Sequence, residues 1–282
     1  MTERFTKPWK KLVKQWKRHT PPGRPSLKDV AVYRKFLKTV KTNKPKVLVL
    51  GATSELRDLL FRLGFTVTVI DLNWDMIMAT SSLLKQKNSN EVIIMANWLN
   101  MPLKSNYYDA IVGDIVLQNL SDHDQNKFLS EIKRLLKPKG VFISRLYLVP
   151  DNWQFKTIDQ ILAAYASFPY FKNEAMELYS YMVNSVWDPK SKIIDCKKIK
   201  KSLKKYWQKD RYKYSNKHLE KALNEMWAVW RPLEKKYSTD WEKNVTKKIK
   251  KDFRIIKKEI IKNSKLKELN RCFPIWLAQV KK

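Results

Sequence analysis

Residues 47–56, VLVLGATSEL, are the most informative segment for the fold, because an apolar run stops at a glycine and is followed by a helical pattern. Consecutive apolar residues of this kind are typical of a central strand in a parallel sheet. Gly51 has no Cβ, so the backbone there can turn sharply and approach a ligand closely. The helix that follows, over residues 55–63, presents free N–H donors at its N-terminus. The stretch predicts a strand–turn–helix unit with a ligand at the turn.

The same unit recurs along the next hundred residues. Further strands are predicted at 65–70, 91–95, 108–112 and 141–148, with helices at 74–86 and 122–136. Strands that alternate with helices predict a parallel sheet with right-handed crossovers. Beyond Pro150 the alternation stops. An aromatic-rich helical stretch is predicted at 153–187 and further helices at 190–206 and 215–237, with many lysines up to about residue 250, followed by strands at 252–256 and 272–280. We expect an α/β fold, a doubly wound, seven-stranded, mostly parallel sheet with a helical insertion between strands five and six.

These patterns divide the chain into four segments. Residues 1–45 form a basic N-terminal helical segment, with helices expected at 4–19 and 27–42. The other segments are the core at 46–150, the Lys-rich insertion at 151–250 and the last two strands at 251–282.

The positive charge of the chain is unevenly distributed. The formal net charge is +31, yet residues 47–189 carry a net charge of −2, against +13 for residues 1–46 and +20 for residues 190–282. A compositional bias toward Lys would by itself also make residues 47–189 positively charged. The basic flanks predict either a solvated helical surface or a field that attracts anions over about 8–10 Å at physiological salt. Nucleic acid, acidic protein, anionic lipid and phosphorylated metabolites remain open as partners.

Cysteine content and hydropathy favour a cytoplasmic protein. Cys196 and Cys272 lie far apart, and their spacing predicts neither a disulfide framework nor a metal site. The first residues lack the apolar centre of a secretory signal. No run approaches the roughly 18–20 apolar residues that a membrane span needs. We expect no metal, no transmembrane segment and two thiols in a reducing compartment.

Polar residues follow the ends of the second, third and fourth predicted strands. Asp71 comes 20 residues after Gly51, the spacing at which an acid in dinucleotide-binding folds binds ribose hydroxyls. Asn97 offers a donor and an acceptor to an adenine edge. Asp114 lies near the expected reacting centre. Because ligands of doubly wound sheets bind at the carboxyl ends of strands, these residues predict a nucleoside-shaped site.

The sequence resembles class I S-adenosylmethionine-dependent methyltransferases across residues 47–148. The matching stretches, in the family's order and spacing, are VLVLGATSEL (47–56), VTVIDLNWDMI (67–77), ANWLNMP (96–102), YDAIVGDIVLQNL (108–120) and LLKPKGVFISR (135–145). FPIWLAQVKK, residues 273–282, resembles the family's last strand. The resemblance implies a Rossmann-like core, methyltransferase activity and S-adenosylmethionine (SAM) as the cofactor.

The resemblance also implies which residues bind SAM. They are Gly51, Ala52, Thr53 and Glu55 for the methionine part, Asp71 for the ribose, Leu72, Met76, Asn97 and Trp98 for the adenine, and Asp114 beside the reacting centre. The chain departs from the family twice, with one glycine where Gly-x-Gly-x-Gly is usual and with Asn97 in place of an acid. A domain that no longer binds SAM therefore stays open. NAD is disfavoured, because its pyrophosphate needs the second glycine.

Candidates for catalysis lie beyond the fourth strand and on the fifth. Asp114, His123 and Tyr147 are candidate acids or bases, and Arg145 and Tyr147 are candidate acceptor contacts. Methyl transfer needs an in-line approach, and a base only where the acceptor must lose a proton. Three functions stay open: a methyltransferase for a small or anionic acceptor beneath the insertion, an RNA methyltransferase whose basic flanks hold phosphates, and a non-catalytic module with a SAM-type fold.

Overall fold

The computed structural model describes residues 19–86, 90–167, 174–206, 216–230, 236–262, 264 and 267–281. The predicted helix at 4–19 lies almost wholly outside the described residues. In the described part of the chain, no helix has the length and apolar composition needed to cross a membrane.

A seven-stranded sheet forms the centre of the fold, in the order β3-β2-β1-β4-β5-β10-β9. Its strands are β1 (Lys46–Leu50), β2 (Thr66–Asp71), β3 (Val92–Met95), β4 (Tyr108–Asp114), β5 (Leu136–Arg145), β9 (Phe253–Glu259) and β10 (Ile275–Val280). The first five strands are parallel, and β10 runs antiparallel between β5 and β9. The strand order reverses between β1 and β4, so the ligand crevice is expected there. The predicted doubly wound, mostly parallel sheet is confirmed.

Helices cover both faces of the sheet. These helices are α1 (Leu27–Leu37), α2 (Ser54–Arg62), α3 (Trp74–Ser81), α4 (Asp122–Leu135) and α9 (Glu242–Lys250). One apolar cluster joins α1 and α2 to one face of the sheet. A second joins α4 and α9 to the other. Apolar burial on both faces explains why the parallel strands read as nearly continuous apolar runs.

The insertion has a core of its own. Its elements are α5 (Ile158–Ala166), α6 (Glu174–Ser185), β6 (Trp187–Asp188), β7 (Ile193–Asp195), α7 (Cys196–Lys205), α8 (Lys217–Trp230) and β8 (Lys236–Ser238), and a short helix, α10 (Lys267–Asn270), packs with it. The three strands form a small antiparallel sheet, which the prediction of an all-helical insertion did not include. The insertion core is continuous with Tyr147 and Val149, which follow β5.

Several elements differ in length from their predictions. The helix predicted over 27–42 ends at Leu37, and the one over 74–86 ends at Ser81. Each is followed by turn residues. Strand β5 already begins at Leu136, because Tyr108 of β4 pairs with it before the register shifts. Within the segment assigned to the insertion, α9 buries Val245 and Ile249 in the core cluster shared with α4.

Candidate cofactor site

The ends of the first three strands meet at one point. Gly51 has a φ of +78°, and its N–H donates to the Ile70 carbonyl at 2.9 Å. A Cβ added at Gly51 would lie 3.7 Å from the Trp98 ring and 3.8 Å from Asp71 Oδ2. Because these contacts surround a position without a side chain, the strand ends form the floor of a shared cleft. The structure thus brings Gly51, Asp71 and Trp98 together, and their predicted roles toward SAM stay a prediction.

The helix that follows Gly51 begins without a side-chain cap. Thr53 is the N-cap residue of α2, and its hydroxyl makes no capping hydrogen bond. Backbone N–H groups in the first turn therefore point toward the strand ends, where they suit an anionic group. Ala52 beside it is buried. Glu55, in the same turn, forms an ion pair with Arg24, so the N-terminal segment is tied to the loop after β1.

Asp71 is oriented by the turn that starts α3. Its Oδ1 accepts a hydrogen bond from Asn73 N at 2.9 Å, while Oδ2 faces Gly51. Asn73 in turn caps α3 by accepting from Met76 N at 3.1 Å. Met76 is buried and Leu72 half-buried. Of the two apolar residues predicted to contact the adenine, Leu72 is thus the more accessible.

The loop after β3 brings Asn97 and Trp98 to the same cleft. Asn97 Oδ1 accepts from Leu99 N at 2.9 Å, which fixes the direction of the amide. Trp98 Nε1 donates to the Ile70 carbonyl at 3.0 Å. Its ring lies 6.1 Å from that of Phe128, centroid to centroid. The indole therefore anchors the loop to the end of β2 and lines the cleft beside Gly51.

The ends of β4 and β5 are joined by a buried ion pair. Arg145 Nε and Nη2 donate to the two carboxylate oxygens of Asp114 at 2.6 and 2.9 Å. Arg145 Nη1 lies 3.7 Å from Asp29 Oδ2, and neither side chain is more than 1% exposed. Burial, with Asp29 and Glu55 nearby, raises the pKa of Asp114, and Arg145 opposes that rise. Because Asp114 and Arg145 are bonded to each other, Asp114 is not placed to act as a simple base, and Arg145 is not placed to bind an anionic acceptor.

Helix α1 reaches the same two strand ends through residues that the sequence reasoning missed. Tyr33 Oη donates to the Gly113 carbonyl at 2.6 Å and accepts from Arg145 N at 2.7 Å. Asp29 and Ser26 form a capping box that starts the helix. The capping box is readable in the sequence, but no local pattern predicts contact with strand ends 80 and 112 positions away.

The two remaining catalytic candidates lie in different surroundings. Tyr147 Oη donates to Asn184 Oδ1, and its ring stacks on Phe273 with centroids 5.1 Å apart. Burial raises the pKa of Tyr147 well above its usual value. His123 is exposed in the first turn of α4. Tyr147 is thus a neutral, hydrogen-bonded phenol at the insertion boundary, and the structure does not bring His123 into the buried cluster.

The segment after β4 combines backbone strain with an orphaned polar atom. Ile115 has a φ of +52°, a conformation that is costly for a β-branched residue. Its carbonyl accepts from Asn119 Nδ2 at 3.0 Å. Asn119 Oδ1 is buried and finds no hydrogen-bond donor among the described residues. Strained backbone and unsatisfied acceptors concentrate at functional sites, so this segment is a candidate wall of the acceptor pocket.

The residues at the ends of β1, β2 and β3 fit SAM by their chemistry. The uncapped start of α2 suits its carboxylate, and Asp71 suits its ribose hydroxyls. A Cβ at Gly51 would make ordinary van der Waals contacts with Trp98 and Asp71, at 3.7 Å and beyond, so the positive φ and not the surrounding space favours a glycine at this position. No group of three or more residues able to ligate a metal occurs within the described ranges.

Comparison with known proteins gives a family match over the core. Residues 48–144 match the family model described as a methyltransferase domain. No curated protein matches the sequence. Among solved structures, similarity extends to a protein from Rhodobacter sphaeroides described as a putative zinc-dependent alcohol dehydrogenase, with 15% identity, 100% coverage of both chains and a TM-score of 0.63.

Two further structures are methyltransferases by description. One is the N-methyltransferase NodS from Bradyrhizobium japonicum in complex with S-adenosylhomocysteine, with 10% identity, coverage of 96% of this chain and 100% of that one, and a TM-score of 0.51. The other is a putative SAM-dependent methyltransferase from Listeria monocytogenes, with 10% identity, coverage of 89% and 100%, and a TM-score of 0.50.

These structural likenesses show the shared fold, and the family match over residues 48–144 identifies the domain within it. The seven-stranded sheet has the expected strand order, and the matched residues include the ends of β1 to β4 with their polar groups. The chain thus carries a methyltransferase domain over residues 48–144, on a sheet of the Rossmann-like kind.

Proposed function

We propose that this enzyme methylates a small acceptor held between the ends of β4 and β5 and the helical insertion. The position of the insertion carries the proposal. Val149 N, just after β5, donates to the Asp240 carbonyl at 3.1 Å, and Glu242 N donates to the Val149 carbonyl at 2.8 Å. Thr239 Oγ1 donates to the Tyr147 carbonyl at 2.7 Å. These bonds fix the end of the insertion beside the strand ends and favour a covered acceptor.

The proposed cofactor contacts follow from the geometry of the cleft. The first-turn N–H groups of α2, with the backbone of Gly51, Ala52 and Thr53, hold the methionine part of SAM. Asp71 accepts the ribose hydroxyls through Oδ2. The remaining proposed contacts, to the adenine, are Leu72, Met76, Asn97 and Trp98. Glu55 and Asp114 border this region with their carboxylates bound by arginines, so we propose that they shape the cleft and do not contact SAM as free anions.

SAM supplies an electrophilic methyl group on its sulfonium. The protein's part is then to align the acceptor and exclude water, which can supply up to ~7–11 kcal/mol in favourable intramolecular cases. Asp114 and Tyr147 are hydrogen-bonded and His123 is exposed, so none stands ready as a base in the described site. We infer an acceptor whose nucleophilic atom already carries an available lone pair, such as an amine in its neutral form.

Asn119 is the proposed acceptor contact. Its Oδ1 is buried and lacks a donor among the described residues. Asn119 lies in a single 3₁₀ turn, Leu117–Asn119, which packs against β8 of the insertion. An acceptor N–H or O–H group would satisfy this oxygen. An anionic acceptor bound by Arg145 is less favoured, because that guanidinium is already bonded to both oxygens of Asp114.

A cytoplasmic location belongs to the same proposal. Cys196 and Cys272 are both buried thiols that form no disulfide. Burial raises the pKa of Cys272 to about 12, so it remains an unreactive thiol at neutral pH. Both observations are compatible with a reducing compartment.

The test supplies SAM labelled in its methyl group to two acceptor pools, a low-mass metabolite extract and total RNA. We expect the label in low-mass products, and an Asn119→Ala variant should lose transfer while retaining SAM binding. Label in RNA alone would instead support the second candidate, an RNA methyltransferase, for which the net charge of +20 over residues 190–282 is the supporting observation. SAM binding without transfer to either pool would contradict both acceptor proposals.

A further inference from the structure

An open groove of about 830 Å³ runs along α9, beside the N-terminus of α4. Six of its ten lining residues are lysines, and one is an aspartate. We call it the α9 groove, and its lysines are Lys192, Lys243, Lys247, Lys248, Lys250 and Lys251. None of the residues assigned to SAM or to the acceptor lines it, so the groove is separate from the cofactor cleft.

Two of these lysines neutralise the acids at the inner end of the groove. Lys192 Nζ lies 3.2 Å from Asp122 and 2.9 Å from Asp240. Lys248 Nζ lies 2.6 Å from Asp122 and also donates to Gln125. The other four lysines are exposed and have no ion-pair partner in the described part of the chain: Lys243, Lys247, Lys250 and Lys251. The groove therefore carries an uncompensated positive charge.

The four exposed lysines lie on one face of α9. At 3.6 residues per turn they fall within an arc of about 100°. Like charges three and four residues apart destabilise a helix by about 0.2–0.5 kcal/mol per pair. The helix is held by Val245 and Ile249, which are buried against the core on its other side. Local helix stability thus does not explain this lysine face, because a helix with Glu at some of these positions would be more stable than one with four lysines.

The helix dipole does not explain the face either. Lysines in the last turn of a helix interact favourably with its negative C-terminal end, which accounts for Lys247 and Lys250. Lys243 is in the first turn, where a positive charge is unfavourable. An anion bound along the helix would compensate all four charges together.

We propose that the α9 groove binds the phosphate backbone of a nucleic acid. Lys243 and Lys251 are eight residues apart, about 12 Å along the helix, a length that about three phosphates of one strand occupy. The groove is lined by lysines and not by arginines. A lysine binds a phosphate as a point charge and does not make the paired hydrogen bonds by which an arginine recognises a base. A membrane surface is disfavoured, because the apolar residues of α9 are buried in the core and none is available for insertion between lipids.

The test measures binding of a fluorescent single-stranded RNA by anisotropy, without SAM, over a series of salt concentrations. We expect log affinity to fall linearly with log salt, with a slope of about −0.7 per phosphate that the protein neutralises. Replacing the four exposed lysines by Gln should weaken binding by about tenfold or more. The slope should also flatten, by about 0.7 for each phosphate that the variant no longer neutralises.

A matched control removes four exposed lysines from α7, namely Lys198, Lys201, Lys204 and Lys205, also as Gln. It changes the net charge of the protein equally, so we expect RNA binding close to that of the unchanged protein. Equal losses in the two variants would mean that only net charge matters and would overturn the proposal. RNA binding restored by Arg in place of Gln on α9 would support a phosphate surface and rule out misfolding.

Anionic vesicles of phosphatidylserine and phosphatidylcholine provide the competing partner. Binding to these vesicles with the same lysine dependence, and no binding to RNA, would overturn the nucleic-acid assignment. The inference goes beyond the proposed function, since it concerns a surface and not the methyl acceptor. Its failure would leave SAM binding and methyl transfer to a small acceptor unaffected.

Discussion

The ends of β1 and β2 form one half of the cleft edge, and the ends of β4 and β5 form the other. The polar groups of the two halves differ in what they bind. At the ends of β1 and β2, a glycine, an uncapped helix start and the Asp71 carboxylate face a common space. At the ends of β4 and β5, Asp114 and Arg145 are buried and bonded to each other, with Tyr33 closing the gap between the strands.

This difference suggests separate roles for the two halves, ligand recognition in the first and alignment of the reacting groups in the second. Polar groups at the edge of a cleft are placed where a ligand can reach them. A buried, fully bonded ion pair fixes the spacing of two strand ends and has little freedom to exchange protons. We therefore propose that the first half recognises SAM and that the second half positions the reacting groups.

The largest effect is expected from Arg145→Met, which leaves Asp114 and Asp29 buried without their cation. Breaking a buried pair in this way costs about 3–5 kcal/mol of unfolding free energy. Urea denaturation monitored by circular dichroism measures the loss. Arg254→Met removes an exposed arginine from β9 and should cost less than about 1 kcal/mol. Similar losses for the two variants would mean that the ion pair does not hold the strand ends together.

The second-largest effect is expected at the ends of β1 and β2, where we propose that SAM binds. Asp71→Ala should weaken SAM binding by about 1–3 kcal/mol, the usual cost of losing charged hydrogen bonds, with little change in acceptor affinity. Isothermal titration with SAM measures it. Glu225→Ala, which removes an exposed carboxylate from α8, is the control for overall charge. An unchanged SAM affinity in folded Asp71→Ala would remove the ribose assignment.

The recognition half was largely predictable from the sequence, and the alignment half was not. Gly51, Asp71 and Asn97 each follow an apolar strand, so local pattern and strand order suffice to bring them together. The network of Asp29, Tyr33 and Arg145 depends on how a helix outside the sheet packs over it. The small sheet of the insertion was missed for a related reason, because strands of two or three residues carry too little periodicity to be distinguished from helix ends.

Alanine substitutions at two glycines distinguish the effect of backbone strain from the effect of a lost ligand contact. Gly51 and Gly64 both have a positive φ, +78° and +71°, so an alanine at either position should cost about 1–2 kcal/mol of unfolding free energy. Nothing lies within 4 Å of a Cβ at Gly64, whereas a Cβ at Gly51 would enter the cleft. Gly51→Ala alone should also weaken SAM binding. Equal SAM affinity in the two variants would place the cofactor elsewhere.

The smallest effect is a dependence of stability on pH. Arg134 donates to Glu131 and, with the hydrogen bond from Met101 N, lowers the pKa of the Glu131 carboxyl below its ordinary 4.5. A lowered pKa in the folded state gives stability that is present above the ordinary value and lost as pH falls through the folded one. Glu131→Gln should therefore cost stability near neutral pH, by less than about 1 kcal/mol, and nothing at strongly acidic pH. Equal losses at both pH values in urea denaturation would contradict this account.

The position of β10 has a consequence for the order in which the chain folds. This strand comes last in the sequence, yet it fills the gap between β5 and β9. A nascent chain that has emerged only as far as the insertion exposes the open edge of β5, an unpaired strand that can associate with other chains. Folding of the core sheet thus waits for residues 275–280, and the basic insertion must fold, or stay unfolded without aggregating, before they are available. Ribosome-bound chains shortened before residue 275 are the species in which this vulnerability would be greatest.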